Sequence, residues 1–214
     1  MDKKFFVLLF LIFSFCHDGK SQIIDYEDFK KYVVSIHYTN AGKPNGTGFL
    51  LSDGKTILTC EHVIKNWENS LFVSYFNEDS KFYPAKVLGK DEKKDLALLQ
   101  VVHSLKTQRI PFKEKLKVGE EVFAFGSMYG FSYTLLKGYV SHPLREEVDY
   151  TRLPHIHVFG LAYSGMSGAP VFSQDGYFIG LIRGVFGFGI DNGNSMVIPI
   201  STIRDFLREH KIEY

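Results

Sequence analysis

Apolar positions along this chain come in short alternating or continuous runs, separated every few residues by turn-forming clusters. The run Tyr32-Val33-Val34-Ser35-Ile36-His37-Tyr38 is β-branched and aromatic, which predicts a strand, and Asn40 to Gly46 is a turn cluster. Thr47 to Leu51 and Thr56 to Thr59 follow as strands around a Ser52-Asp53-Gly54-Lys55 hairpin turn. Leu71 to Phe76, Phe82 to Leu88 and Leu96 to Val102 continue the series. After Pro111 a second series predicts strands over Glu121 to Phe125, Tyr133 to Ser141, His155 to Phe159, Ala169 to Phe172, Tyr177 to Val185 and Asn194 to Pro199, with Asp175-Gly176 at a hairpin tip. Many short strands at close spacing read as an all-β barrel or sandwich, in two halves that divide near residues 105–117. Only the ends differ. Ile23 to Lys31 reads as a short helix or an extended arm, and Ser201 to His210 has apolar positions at helical spacing behind a Ser/Thr cap.

The first residues read as an address. Lys3-Lys4 precede an apolar run from Phe5 to Phe15 broken only by Ser14, the pattern of a basic n-region and an h-region. The run is too short to span a bilayer comfortably. We therefore divide the chain into a signal peptide or lipoprotein signal over 1–22, an N-terminal β half over 23–112 and a C-terminal β half over 113–214, with a buried strand or retained anchor as the alternative for the leader. Cleavage could fall around Ser14-Phe15-Cys16, or Cys16 could be acylated, although Phe13 and Phe15 are poor fits to a lipoprotein box. The expectation is an exported protein, periplasmic or extracellular, which would meet a membrane only through a lipid on Cys16, the disfavoured reading. The other cysteine is Cys60, so loss or acylation of Cys16 leaves no intrachain disulfide, and Cys60 reads as a small buried hydrophobe.

Composition narrows the chemistry. The 214 residues are 45% hydrophobic, enough for a sizeable core. With 25 basic against 24 acidic residues the formal charge is +1, which argues against a nucleic-acid partner. The sequence has no phosphate-binding Gly-rich loop between a strand and a helix and no zinc-like Cys/His spacing, so neither cofactor nor metal is expected. His37, His103, His142, His155, His157 and His210 lack ligand-like partners and read as structural or solvated; a metal on His155-x-His157 is the disfavoured reading.

One stretch carries chemistry. Ser164-Gly165-Met166-Ser167-Gly168-Ala169-Pro170 sets a serine between glycines, which allows a tight turn and close approach of a substrate carbonyl. Ser167 is the candidate nucleophile, and the amides of Gly165 and Ser167 are the candidate oxyanion hole. An ordinary hairpin turn is the alternative for this stretch taken alone. A serine hydroxyl needs a base, and the base needs a group that holds its tautomer. His62, just past a predicted strand, and Asp95, just before one, supply these types, in the chain order His, Asp, Ser.

Taken together, Gly46-Thr47-Gly48-Phe49-Leu50-Leu51, Ile57 to Ile64, Asp95-Leu96-Ala97-Leu98, Gly165 to Val171 and Gly180-Leu181-Ile182 resemble the trypsin-like (chymotrypsin-fold) serine proteases of bacteria. Within them the likeness is greatest to the protease domain of the HtrA type, and next to the secreted glutamyl endopeptidases, over about residues 30 to 210. The resemblance implies two antiparallel six-stranded β-barrels, a cleft between them holding the triad, and a C-terminal helix packed on the second barrel. It implies an acyl-enzyme endopeptidase with protein or peptide substrates. Leu161 and Tyr163, with Ile182, Arg183 and Gly184, would line the primary specificity pocket, core packing being the alternative for the residues ahead of the serine. Ile182 stands where glutamyl endopeptidases carry a pocket histidine. An aliphatic side chain offers a substrate carboxylate nothing, so cleavage after small or medium apolar residues is expected, with Arg183 able to overturn that preference.

The departures are informative. Met166 replaces the Asn or Asp that precedes the serine in the families, removing zymogen activation through that aspartate; Ala169 replaces a glycine; Cys60 and Glu61 replace polar residues. With no PDZ domain expected after Tyr214, the regulatory module of the HtrA type is expected to be missing, and the oligomeric state stays open. A catalytically inactive protease-fold module that binds peptides by strand pairing is the alternative function, and a broader esterase a third.

Overall fold

A computed structural model describes residues 24–66, 70–76, 78, 80–146, 153–185 and 193–214; the leader, including Cys16, lies outside them. The first six strands are β1 (Val33–His37), β2 (Gly46–Leu50), β3 (Thr56–Thr59), β4 (Leu71–Tyr75), β5 (Tyr83–Asp91) and β6 (Leu96–Val101). They close a barrel in the order β1-β2-β3-β6-β5-β4. The second barrel, in the order β10-β11-β12-β9-β8-β7, is made of β7 (Glu121–Met128), β8 (Phe131–Arg145), β9 (His155–Phe159), β10 (Pro170–Ser173), β11 (Phe178–Val185) and β12 (Asn194–Pro199). All ladder pairings are antiparallel. This is the two-barrel chymotrypsin fold. Short helices α1 (Glu27–Lys30) and α2 (Glu61–Ile64) and the longer α3 (Ile200–Glu209) complete the described elements.

Closure explains why these strands break the alternation rule. β1, β2 and β3 are buried at every position, and the outer faces of β1 and β2 meet β7 of the second barrel. β5, on the outer wall, alternates between half-buried and exposed positions and has only Ala85 fully buried. The seam between the barrels is aromatic. Phe49 stacks on Phe178 with centroids 4.3 Å apart, and Phe172 sits among Phe29, Phe49, Phe123 and Phe178. Of these rings, Phe49, Phe123, Phe172 and Phe178 are buried, each contributing about 1.5–3 kcal/mol, and Phe29 is half-buried against them. A polar bond joins the same seam, where Ser35 and Ser127 share a buried hydrogen bond of 2.9 Å.

The terminal helix differs from expectation in two respects. It begins at Ile200 directly behind β12, with extended Pro199 as N-cap and no side-chain cap, so Ser201 and Thr202 are already helical. The buried stripe Ile200, Ile203, Phe206 and Leu207 draws the first turn inward, and packing sets this boundary in place of a hydroxyl cap. The helix also touches both barrels: it packs beside β11 and β12, while Lys94 of the first barrel pairs with Glu209, and Gly89 lies under the His210 ring. Among the described residues, no helix is long and apolar enough to cross a membrane.

Candidate active site

The histidine arrives on a single helical turn. β3 ends at Thr59, Cys60 is extended, and α2 carries His62 with Glu61, Val63 and Ile64 buried around it. Four residues are too few to show a helical period, which is why the sequence reading placed His62 merely past a strand end.

The aspartate is set by a turn. The Asp91 carboxylate accepts the backbone N–H groups of Lys93 and Lys94 at 2.9 Å each, folding the chain back before β6. Asp95 then takes left-handed backbone, φ +53°, a conformation that aspartate tolerates better than most side chains. Its Oδ2 lies 2.8 Å from His62 Nδ1, and its Oδ1 accepts the His62 backbone N–H at 3.0 Å. Burial pushes the Asp95 carboxyl upward, but the bonds and charge of His62 and the Arg183 guanidinium outweigh it and hold the group below the usual range. Asp95 is 8% exposed and the His62 side chain 43%, so the ring is fixed on one side and open to solvent on the other.

The serine turn is held from both barrels. Gly165 and Gly168 have φ of +89° and +81°, and the positions a Cβ would occupy are filled by the carbonyl oxygens of Ser127 and Thr47. Thr47 is the fastener: its N–H donates to the Ser167 carbonyl at 3.0 Å, its hydroxyl donates to the Gly165 carbonyl at 2.9 Å, and that hydroxyl accepts from Ser127 N–H at 2.9 Å. Gly168 N–H donates to the Ile182 carbonyl at 2.8 Å. The Ser167 hydroxyl itself donates to the Arg183 carbonyl at 3.2 Å. Met166 is fully buried and its sulfur lies over Gly126, so the side chain that departs from the family pattern is a core residue of the second barrel.

The pocket candidates separate by burial. Leu161 and Ile182 are buried in the second core with Met166 and Val171, whereas Tyr163, Arg183 and Gly184 are half-buried. Tyr163 packs edge-on to Tyr129, with centroids 6.1 Å apart. Arg183 donates from Nε to Asp95 Oδ2 at 3.0 Å, and its Nη1 lies 3.0 Å from His155 Nε2. Sequence reasoning missed this bridge and the part played by Thr47. Thr47 did carry a signal, a threonine between two glycines, whereas Arg183 carried none, being 88 positions from its partner.

Cys60 is buried, its thiol donates to the Ile182 carbonyl at 3.4 Å, and burial and the Asp95 charge push its pKa well up. Donor atoms of Cys60, His62 and Asp95 lie within 4.8 Å of one another. The thiol stays protonated, and the imidazole and carboxylate are engaged with each other, so this set suits proton handling better than a cation. Of the remaining histidines, His37 bonds Ser74 at 3.0 Å and His103 stacks on Tyr83 at 4.4 Å.

Comparison with known proteins places the chain in a family and a fold. The "Probable periplasmic serine endoprotease DegP-like" of Hahella chejuensis (strain KCTC 2396) is 34% identical over 171 residues, 78% of this chain and 35% of that protein. A protein of the same description from Pseudomonas putida (strain W619) is 34% identical over 78% of this chain and 34% of its own length. The chain thus spans about a third of these relatives. In fold it is similar to Rv3671c from M. tuberculosis H37Rv, crystallised as a serine-to-alanine mutant in an inactive form, with a TM-score of 0.73 at 21% identity over 91% of this chain and 93% of the other. The family model of the trypsin-like peptidase domain matches residues 46–181, more than half of the sequence. The chain, with its two closed barrels, belongs to the trypsin-like peptidase family.

Proposed function

We propose that this protein is an exported serine endopeptidase that hydrolyses peptide bonds through an acyl-enzyme. Ser167 Oγ attacks the scissile carbonyl carbon while His62 takes its proton, and Asp95 holds the Nδ1–H tautomer and balances the imidazolium that forms. The amides of Gly165 and Ser167 receive the oxyanion. Collapse of the tetrahedral adduct breaks the C–N bond, His62 returns the proton to the leaving amine, and water repeats the sequence on the ester. The observation that carries the reading is the 2.8 Å contact between His62 Nδ1 and a buried Asp95 carboxylate, across the barrel seam from the turn that bears Ser167. The reading requires the Ser167 hydroxyl, which donates to the Arg183 carbonyl at 3.2 Å, to turn toward His62 when a substrate binds, a side-chain motion of the fast kind.

Tyr163 and Gly184, backed by Leu161 and Ile182, form the wall of the specificity pocket, which suits small or medium apolar residues ahead of the cleaved bond. No oligomeric assembly is part of this reading. Reaction with a fluorophosphonate probe tests the activity. Wild type is expected to label and Ser167→Ala to remain unlabelled; equal labelling of both, or of neither, would favour the inactive peptide-binding module. Export rests on the leader pattern and on the word periplasmic in the relatives' descriptions. Mass spectrometry of the mature N-terminus is expected to find the first 15 to 22 residues removed; an intact Met1 leader would refute export, and an acylated Cys16 would add a lipid anchor.

A further inference from the structure

Arg183 is placed unlike a pocket residue. It comes from β11 of the second barrel, yet its Nε donates to Asp95 Oδ2 at 3.0 Å, the oxygen that also faces His62 Nδ1 at 2.8 Å. Both partners are withdrawn from water, the Arg183 side chain being 14% exposed and Asp95 8%. The far end of the guanidinium is held as well. Nη1 meets His155 Nε2 at 3.0 Å, and His155 is 2% exposed. A guanidinium can only donate, so His155 Nε2 accepts and its ring proton sits on Nδ1. A planar fork fixed at both ends cannot follow a swinging carboxylate, so it fixes the carboxylate instead. The residue's own carbonyl receives the Ser167 hydroxyl, so Arg183 touches two members of the candidate triad. It also lies beyond the residues matched by the family model, which end at 181.

We propose that Arg183 is a positioning residue of this site: anchored by His155, it clamps Asp95 across the barrel seam and keeps the carboxylate anionic and aligned with His62. The inference rests on the serine-peptidase reading above. The clamp adds a permanent cation beside Asp95 that disfavours protonation of its carboxylate. Among the described residues, the other charges facing the His62–Asp95 pair are arranged in pairs or are neutral. Lys65, at the end of α2, pairs with Glu92 at 2.9 Å, and Glu61 pairs with Lys90 at 3.0 Å. Cys60 is a buried thiol pushed well up in pKa, and His155 accepts from Arg183. Removing the guanidinium therefore moves the acid limb of reactivity to higher pH.

The test measures the second-order rate of fluorophosphonate labelling against pH for wild type, Arg183→Gln and Arg183→Lys. R183Q keeps a donor and loses the charge; R183K keeps the charge and loses the fork. The acid limb of R183Q is expected about one unit higher, the scale on which a neighbouring opposite charge acts. Its plateau rate is expected to fall about tenfold, as misaligned groups do. R183K is expected to keep the wild-type limb at a reduced plateau. An unmoved limb in R183Q, or one moved equally in R183K, overturns the charge role. A urea-unfolding cycle over wild type, Asp95→Asn, R183Q and the double variant reads the clamp without catalysis. Coupling is expected, the double variant losing less than the two singles together, and additive losses overturn the clamp. If wild type never labels, the peptidase reading fails and this cycle alone decides whether Arg183 holds Asp95.

Discussion

Asp95→Asn is expected to lower peptide hydrolysis about 10⁴-fold while leaving the protein folded. The amide presents a donor where the carboxylate accepts, so His62 loses the partner 2.8 Å from Nδ1 and no longer favours the tautomer that leaves Nε2 free to take a proton. The size follows from losing tautomer control while the oxyanion donors and substrate contacts remain. Stability falls too. Arg183 keeps a guanidinium that is 14% exposed and has lost its counter-ion, a change costing about 3 kcal/mol. The pH dependence has a definite sign. The Asp95 carboxyl is held below its ordinary value, so its contribution is fully present above about pH 4 and disappears as pH falls through the lower folded-state value. The stability gap between wild type and D95N should thus be open at pH 7 and close in strong acid. Progress curves on a peptide substrate, with urea midpoints at both pH values, check this. Wild-type turnover in D95N would remove Asp95 from the mechanism.

Gly168→Ala is expected to cost about 2–5 kcal/mol of stability and most of the activity. The residue has φ +81°, and a new Cβ would stand 2.1 Å from the Thr47 carbonyl oxygen and 2.3 Å from Thr59 Oγ1. Neither neighbour can step aside. Thr59 Oγ1 donates to that same Thr47 carbonyl at 2.7 Å, and Thr47 N–H is committed to the Ser167 carbonyl. The turn must move instead, and Ser167 moves with it. Overpacking of a tight site costs about 1–3 kcal/mol, and left-handed backbone in a residue with a Cβ adds about 1–2. Gly119→Ala separates the two effects: it has the same φ of +81°, but its Cβ would meet nothing within 4 Å. G119A should therefore lose only the backbone contribution. Thermal unfolding and fluorophosphonate labelling of both variants measure the difference, and equal loss in the two would refute the steric account.

Much of the fold was legible from local pattern. Runs such as Val33 to His37 and Leu96 to Val101 announce strands because β-branched and aliphatic residues suit a buried pleat, and Asp53-Gly54 and Asp175-Gly176 announce turns because glycine accepts positive φ. The candidate site was legible for a related reason. A serine between glycines, a histidine beyond a strand and an aspartate before one are each short, local signatures. Less was visible where packing overrides pattern. The terminal helix starts at Ile200 because the core takes that side chain, and the four-residue helix bearing His62 is too short to declare a period.

By itself, then, the sequence determined the strands, the turns and the three residue types that chemistry would need, since all of these depend on neighbours along the chain. Only the tertiary structure decided that Arg183 lies on Asp95, that Thr47 fastens the serine turn, and that Leu161 and Ile182 belong to the core. Those contacts join positions on different barrels or opposite faces of one strand, and barrel closure creates them without leaving a periodic trace in the order of residues.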